Sequence, residues 1–113
     1  MEKFNSDISP FLVSPDDPTY KALEKIELNK FGTVIVTNGQ KVVGTLSDGD
    51  IRKILLTNNM LSIPVRDVMN QNFTSILPGQ EVEAKAIFQK AFFIRIIPIV
   101  DSDGMLLGLL KRD

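Results

Sequence analysis

The sequence predicts an α+β fold in which two β-α-β-β-α repeats pack around a pseudo-twofold axis, with the last helix missing from the second repeat. The first observation behind this prediction is that short β-branched segments alternate with segments of helical periodicity. The second observation is an internal repeat, since the separation between Gly44 and Gly108 equals that between Val36 and Val100. The chain of 113 residues is long enough for one unit in which two half-size repeats share a core.

The first half of the chain begins with mostly polar residues. Phe4 and Ile8 are four apart, which predicts a short leading helix or an arm that docks on the body. A brief apolar run at residues 11–13 is ended by a turn cluster. Within that cluster, Asp17-Pro18 predicts a helix N-cap followed by proline at the first helical position.

A helix over residues 19–30 is predicted next, because apolar side chains cluster on one side of it and charged side chains surround the other. Residues 33–37 are β-branched throughout and predict a buried strand. Asn38-Gly39 predicts a hairpin with a type I′ turn, which needs positive φ at both central residues. Residues 41–46 then form the returning strand, and a further helix follows.

The second half repeats this order of elements after a linker. The predicted elements are a strand at 73–77, a helix from 81 to about 93 with Val82, Ala86 and Phe93 on one side, a strand at 96–100 and a strand at 105–110. Pro98 cannot donate to a strand ladder, so it must lie at an edge, at a bulge or with its bond directed outside the sheet. The segment Phe92-Phe93-Ile94 near the helix end is assigned to the core, with a ligand-stacking or partner surface as the alternative.

Composition excludes several classes of function. Lys and Arg total 13 against 14 Asp and Glu, so the chain lacks the basic surface that nucleic acids require. It contains no cysteine and no histidine, which removes the usual nucleophile, general base and zinc ligands. No long apolar segment predicts a membrane span. We therefore expect a cytoplasmic chain that is not an enzyme by itself and that binds neither nucleic acid nor membrane.

A metal site is also not expected. Residues 101–104, Asp-Ser-Asp-Gly, begin like a calcium-binding loop. The twelfth position of such a loop would be Arg112 and not a bidentate glutamate, so the segment predicts a plain turn.

The most informative stretch is residues 44–52, Gly-Thr-Leu-Ser-Asp-Gly-Asp-Ile-Arg, where a strand ends directly in a helix. Ser47 followed three residues later by Asp50 is the spacing of a capping box. A ligand-binding interpretation is also open, because free N–H groups at a helix start bind phosphate and an acidic side chain accepts hydrogen bonds from ribose hydroxyls. The acidic pair Asp48 and Asp50 favours a sugar-bearing ligand, with Arg52 or Lys53 offsetting its charge.

This stretch resembles the glycine, Ser/Thr and Asp signature of CBS (cystathionine β-synthase) domains, and the resemblance covers nearly all of the chain. It implies a pair of CBS repeats at residues 1–63 and 64–113, which senses an adenine nucleotide such as AMP, ADP or ATP. It also implies that Ser47 lies near phosphate and that Asp50 binds ribose. We expect Ser47, Asp48 and Asp50 to bind this ligand, and Arg52 and Lys111 to contact its phosphate. No catalytic residue, cofactor or metal ligand is expected.

The second repeat departs from the family pattern. At the spacing that aligns Gly44 with Gly108, Ser47 aligns with Lys111, and the chain stops one residue before the counterpart of Asp50. We therefore expect the polypeptide to be the amino-terminal piece of a longer protein. The resemblance is greatest to CBS pairs that precede a sugar-phosphate nucleotidyltransferase domain.

Two functions remain open at this point. The first is a regulatory module whose nucleotide controls a fused catalytic domain. The alternative is a module that forms dimers or organises a larger enzyme without a ligand. A homodimer is expected in either case, because CBS-like pairs usually associate and the chain is apolar for its size.

Overall fold

The structure, a computed structural model, describes residues 2–3, 6–57 and 61–112. The strands are β1 (Glu2–Lys3), β2 (Leu12–Val13), β3 (Thr33–Asn38), β4 (Lys41–Ser47), β5 (Ile96–Val100) and β6 (Leu106–Lys111). The α-helices are α1 (Thr19–Asn29), α2 (Asp48–Thr57) and α3 (Glu81–Lys90), and 3₁₀ helices span Ser6–Phe11 and Val65–Asp67. This mixture of helices and sheets confirms the predicted α+β class. Phe4, part of the predicted leading helix or arm, lies outside the described residues.

The described strands form two three-stranded sheets, one from each half of the fold. In the first, the order is β2-β3-β4, with β2 parallel to β3 and β3 antiparallel to β4. In the second, the order is β1-β6-β5 and both pairs are antiparallel. The amino-terminal strand β1 therefore completes the sheet of the opposite half.

The contact between the two hairpin tips shows the pseudo-twofold relation. Lys41 and Met105, which are separated along the chain by as much as Gly44 and Gly108, form an antiparallel bridge with each other. Two reciprocal hydrogen bonds flank this bridge. Val42 N–H donates to Gly104 O at 3.0 Å, and Leu106 N–H donates to Gln40 O at 2.7 Å. Exchanging the two halves turns one of these bonds into the other, so the axis passes between the tips.

The register of the hairpins corrects the predicted alignment of the repeats. Val36 pairs with Gly44 in the first hairpin, and Ile99 pairs with Gly108 in the second. The counterpart of Val36 is therefore Ile99, and the predicted match to Val100 is wrong. Equivalent residues of the two repeats are thus separated along the chain by one residue fewer before the hairpin turn than after it. The inserted residue lies in the second hairpin turn, where one more residue fits without disturbing either strand.

The first hairpin turn also differs from its prediction. Strand β3 extends through Asn38, which pairs with Lys41, so Gly39 and Gln40 are the central residues of the turn. Gly39 has φ 65°, whereas Lys30 is the non-glycine residue of the described chain with positive φ. Positive φ at the first central residue alone is the pattern of a type II′ turn. The predicted type I′ turn is therefore wrong, because the central residues of the turn lie one position later than predicted.

The start of α1 is not capped by Asp17. The N-cap position is Pro18, which makes no side-chain cap. Asp17 instead accepts a hydrogen bond from the Ser14 N–H at 2.9 Å and closes the preceding turn. The first two N–H groups of α1 donate to the carbonyl oxygens of Ile63 and Leu61, both at 2.9 Å. The linker between the halves thus provides the partners that the sequence assigned to a side chain.

The predicted strand at 73–77 is reduced to a single bridge. Ile76 pairs in parallel with Ile99, its N–H donating to Pro98 O at 3.0 Å and its carbonyl accepting from Val100 N–H at 2.8 Å. Pro98 therefore lies on β5 at the edge of its sheet, one of the three predicted arrangements. The residues on either side of Ile76 make no ladder within the described chain.

Helix α3 ends at Lys90 and buries a different side from the one predicted. Ala84 is fully buried, whereas Val82 and Ala86 are exposed. Phe92 and Phe93 are 80% and 81% exposed, so their assignment to the core is wrong. Residues 82 and 84 lie on opposite sides of the helix, and the helix packs on the sheet through the side that carries Ala84.

A shared core joins the two sheets. Its buried side chains come from the amino-terminal 3₁₀ helix and from both hairpins: Ile8, Phe11, Ile35, Val42, Ile96, Val100, Leu106 and Leu109. Separate clusters lie under the helices of each half. Since neither half buries its apolar surface alone, we expect the two halves to fold as one unit. In the described part of the chain, no helix is both long and apolar enough to cross a membrane.

The segment at residues 101–104 forms the plain turn that the sequence predicts. One carboxylate oxygen of Asp101 accepts hydrogen bonds from the N–H groups of Asp103 and Met105, both at 2.9 Å. The side chain therefore closes the turn. Across the described residues, His, Cys, Asp and Glu form no group of three or more that could hold a metal ion.

Candidate functional site

The junction between β4 and α2 has the geometry of a capping box. Asp50 N–H donates to Ser47 Oγ at 3.1 Å, and Ser47 N–H donates to Asp50 Oδ2 at 3.1 Å. Each side chain therefore accepts a hydrogen bond from the backbone N–H of the other residue, as the capping interpretation requires. Both residues are half-buried, so parts of their side chains are still accessible from outside.

A cleft of about 500 Å³ opens beside this junction. Three parts of the chain form its walls: the β3, β4 and α2 junction of the first half, the segment that enters the second half, and the segment before β5. The lining residues are Thr33, Thr45, Ser47, Asp50, Lys53, Asn70, Asn72, Phe73, Thr74, Phe93, Ile94, Arg95 and Ile96. The cleft therefore lies between the two halves of the fold.

Two of the five predicted ligand residues line this cleft, namely Ser47 and Asp50. Asp48 and Arg52 are not among its lining residues, and their side chains form an exposed ion pair at 3.6 Å. Lys111 lies elsewhere, with Nζ 5.0 Å from the ring centroid of Phe11. The ligand contacts of all five residues stay predictions.

The cations of the cleft come from two different elements. Lys53 projects from α2 into the lining, and Arg95 lies on the opposite wall just before β5. A Cβ atom placed on Gly32 would lie 3.0 Å from Arg95 Nη1 and 3.4 Å from Asp48 Oδ2. The absence of a side chain at Gly32 thus leaves the space through which Arg95 reaches the start of α2.

The sequence pattern assigns Lys53 only the role of offsetting the charge of the acidic pair, and it does not predict a role for Arg95. Arg95 is a lone cation inside the apolar stretch from Ala91 to Val100. A single charge directly before a buried strand is a pattern that could have drawn attention to it. The polar residues of the 70–74 segment carry no comparable pattern.

The cleft combines three kinds of chemistry. Its cations suit phosphate, and its carboxylate, hydroxyl and amide groups suit the hydroxyls of a sugar. Phe93, Ile94 and Ile96 offer apolar contact area for a flat ring. The exposed side chain of Phe93 thus belongs to the edge of the cleft and not to the core.

The corresponding place on the other side of the pseudo-twofold axis is filled. Three cleft positions have counterparts there by register, namely Phe11 for Thr74, Phe31 for Ile94 and Lys111 for Ser47. The rings of Phe11 and Phe31 lie 5.9 Å apart, and Lys111 Nζ lies 5.0 and 5.6 Å from their centroids. Phe11 is 5% exposed. Large side chains thus occupy the space that is open in the cleft.

Comparison with known proteins identifies a domain in the first half. Residues 6–57 match the family model of the CBS domain. The arabinose 5-phosphate isomerase GutQ of Escherichia coli K12 is 31% identical over 92 residues, which is 80% of this chain and 28% of that protein. The homoserine O-acetyltransferase of Methanococcus vannielii is 24% identical over 80 residues, 70% of this chain and 16% of that protein. The chain thus spans less than a third of these relatives.

Solved structures share the fold. A crystal structure of a CBS domain has a TM-score of 0.73 at 25% identity, covering 88% of this chain and 79% of that one. A CBS domain protein from Pyrobaculum aerophilum, solved in complex with AMP, has a TM-score of 0.74 at 22% identity, covering 90% of this chain and 79% of that one. These similarities extend over both halves of the described chain.

Proposed function

We propose, on the premise that residues 6–57 form a CBS domain, that this chain is a regulatory module that binds an adenine nucleotide in the cleft between its halves. The observation that carries the proposal is the meeting of Ser47 and Asp50 with Lys53 and Arg95 around one opening. The AMP complex of the Pyrobaculum aerophilum protein supports the choice of ligand class. We further propose that residues 1–63 and 64–113 are a pair of CBS repeats, the second of them incomplete.

In this proposal the sugar contacts Asp50. Ser47 N–H uses Oδ2 of the carboxylate. The other oxygen can accept hydrogen bonds from ribose hydroxyls, and such charge-assisted bonds are stronger than neutral ones. The capping and binding interpretations are therefore compatible, because the cap fixes the carboxylate at the edge of the cleft.

The phosphate lies between the two walls of the cleft. Lys53 and Arg95 provide positive charge from opposite sides. The N-terminus of α2 adds the positive end of the helix dipole, whereas the N–H groups of Asp48 and Asp50 already donate to Gly32 O and Ser47 Oγ. A phosphate held by both walls would bridge the two halves, so the nucleotide would stabilise one arrangement of the halves over another.

The regulated partner is proposed to be a catalytic domain fused to this module in a longer protein. GutQ and the homoserine O-acetyltransferase support this proposal, because each is a longer enzyme that matches this chain over part of its length. The more specific hypothesis, a fused sugar-phosphate nucleotidyltransferase, stays a prediction. The coding sequence that flanks this chain in its genome tests it directly.

Calorimetric titration with AMP, ADP, ATP and S-adenosylmethionine tests the proposed function. We expect heat from an adenine nucleotide that saturates at one ligand per chain, because Phe11, Phe31 and Lys111 fill the counterpart of the cleft. Two ligands per chain would contradict the single site. A flat trace for all four compounds on a folded sample would overturn nucleotide binding itself.

The second candidate function is dimerisation without a ligand. The observation that favours it is exposed apolar surface on the first two helices, where Leu28 is 69% and Leu56 is 87% exposed. Sedimentation velocity on the sample used for calorimetry separates the two functions. A dimer that gives a flat trace supports the scaffold, whereas a dimer that binds nucleotide is the homodimer we propose for the regulatory module.

A further inference from the structure

The side chain of Arg112, directly after the last strand, contacts both backbone and aromatic groups of the second half. Its Nη2 donates to Ala91 O at 2.6 Å and to Ile94 O at 2.8 Å, and its Nε donates to Ile94 O at 3.0 Å. The guanidinium carbon also lies 5.0 Å from the ring centroid of Phe88 and 5.6 Å from that of Phe92. The guanidinium is therefore held by two backbone carbonyls and two aromatic rings.

The segment that Arg112 holds is one wall of the cleft. Residues 91–95 connect α3 to β5, and Phe93, Ile94 and Arg95 all line the opening. This connection has no regular secondary structure. The backbone N–H of Arg112 donates to Arg95 O at 2.8 Å, which fixes the last residue of the segment to the end of β6. The side chain of Arg112 adds hydrogen bonds to the carbonyl oxygens of residues 91 and 94, which lie shortly before Arg95 in the chain.

An arginine suits this role because its planar guanidinium presents several donors in a fixed geometry. The two carbonyl oxygens bound by Arg112 belong to a loop, whose backbone is otherwise held by the bonds from Ala91 N–H to Ile87 O and from Ile94 N–H to Ala91 O. Without the guanidinium, Ile94 O would bond to water and Ala91 O would keep its bond from Ile94 N–H, so the segment would lose three hydrogen bonds and gain conformational freedom. Arg95 would then spend less time directed into the cleft.

We infer that Arg112 is a positioning residue that sets the Arg95 wall of the cleft and so determines affinity for the phosphate of the ligand. The inference rests on the proposed nucleotide binding and adds to it a residue that does not line the cleft. It also connects the end of β6 to the ligand indirectly, since a change that moves Arg112 alters the placement of Arg95.

A double-mutant cycle with two ligands tests this inference. The proteins are wild type, Arg112→Gln, Arg95→Gln and the double variant, and the ligands are AMP and adenosine, which lacks the phosphate. We expect each single variant to bind AMP about tenfold more weakly, and adenosine less than about twofold more weakly. The double variant should bind AMP no more weakly than Arg95→Gln alone, because Arg112 acts through Arg95.

The control is Arg66→Gln, since Arg66 is an exposed arginine that pairs with Asp16 and does not line the cleft. Its AMP affinity should equal that of wild type. Additive losses in the double variant, or equal losses for AMP and adenosine, would overturn the inference and leave Arg112 a purely structural residue. Unchanged AMP affinity in Arg112→Gln would overturn it as well. A wild-type chain that binds neither ligand would instead overturn the proposed function on which the inference rests.

Amide hydrogen exchange gives a ligand-independent readout of the same anchor. We expect residues 91–95 to exchange faster in Arg112→Gln than in wild type, with the shared core unchanged. Equal exchange in this segment would show that the guanidinium does not hold it, and the inference would fail even if AMP affinity fell.

Discussion

Replacing Asp50 by asparagine should weaken AMP binding at least about tenfold, because it removes the charge from one or two charge-assisted hydrogen bonds worth about 1.5–3 kcal/mol each. Asparagine keeps the shape and an acceptor oxygen for Ser47 N–H, so the capping box should survive. Asp50→Ala should lose as much affinity and some stability in addition. Calorimetric titration with AMP measures the affinity, and thermal unfolding measures the stability.

Two further variants separate the cleft from its surroundings. Asp67→Asn removes an exposed carboxylate that does not line the cleft, and its AMP affinity should equal that of wild type. Ser47→Ala should lose less affinity than Asp50→Asn and about 0.5–2 kcal/mol of stability through the lost cap. Equal AMP affinity for wild type and both Asp50 variants would remove Asp50 from the ligand site and leave it a capping residue.

Replacing Gly44 by alanine should lower the free energy of unfolding by about 1–3 kcal/mol, since the site is already closely packed. A Cβ atom there would lie 2.8 Å from Met69 Sδ and 3.1 Å from the backbone oxygen of Asn70. The methionine side chain can move, but the Asn70 backbone exchanges two hydrogen bonds with Thr45, at 2.7 and 3.1 Å. Because Asn70 also lines the cleft, AMP affinity should fall together with stability.

Gly49→Ala is the matched control for this prediction. The nearest atom to a Cβ placed on Gly49 is Ser47 Oγ at 3.7 Å, an ordinary contact, and the residue lies in the first turn of α2. Alanine there should be neutral or stabilise the chain by up to about 1 kcal/mol. Chemical denaturation of both variants measures the difference. Equal stability of Gly44→Ala and wild type would contradict the close approach of the 69–70 segment to β4.

The parts of the site that follow from local sequence are predicted well. Ser47 and Asp50 are three residues apart at a strand-to-helix junction, and such a spacing determines a capping box without help from the rest of the fold. Helices α1 and α2 and the strands of both hairpins follow from local sequence in the same way. Arg95 was missed because it meets Ser47 only through the packing of two halves, which no local pattern describes.

The errors in the fold have a similar origin. Asp17 has the residue type of an N-cap, but the linker carbonyls of Ile63 and Leu61 arrive from a distant part of the chain and take that place. The 73–77 segment has the composition of a strand, yet within the described chain Ile76 alone of these residues forms a strand bridge. In both cases a long-range contact decides the outcome over local preference. In the site, Lys111 lies beside the rings of Phe11 and Phe31 and outside the lining of the cleft, and its contact with phosphate stays a prediction.

One cleft between the two halves is proposed to bind an adenine nucleotide. Titration of ¹⁵N-labelled chain with AMP, followed by NMR, tests it residue by residue. We expect saturable shifts of the backbone signals of Ser47, Asp50, Thr74 and Arg95, which lie on different walls of the cleft. The signal of Asp103, which lies in the second hairpin turn and does not line the cleft, should stay unchanged. A spectrum that does not change with AMP, or that changes only outside these walls, would contradict the claim.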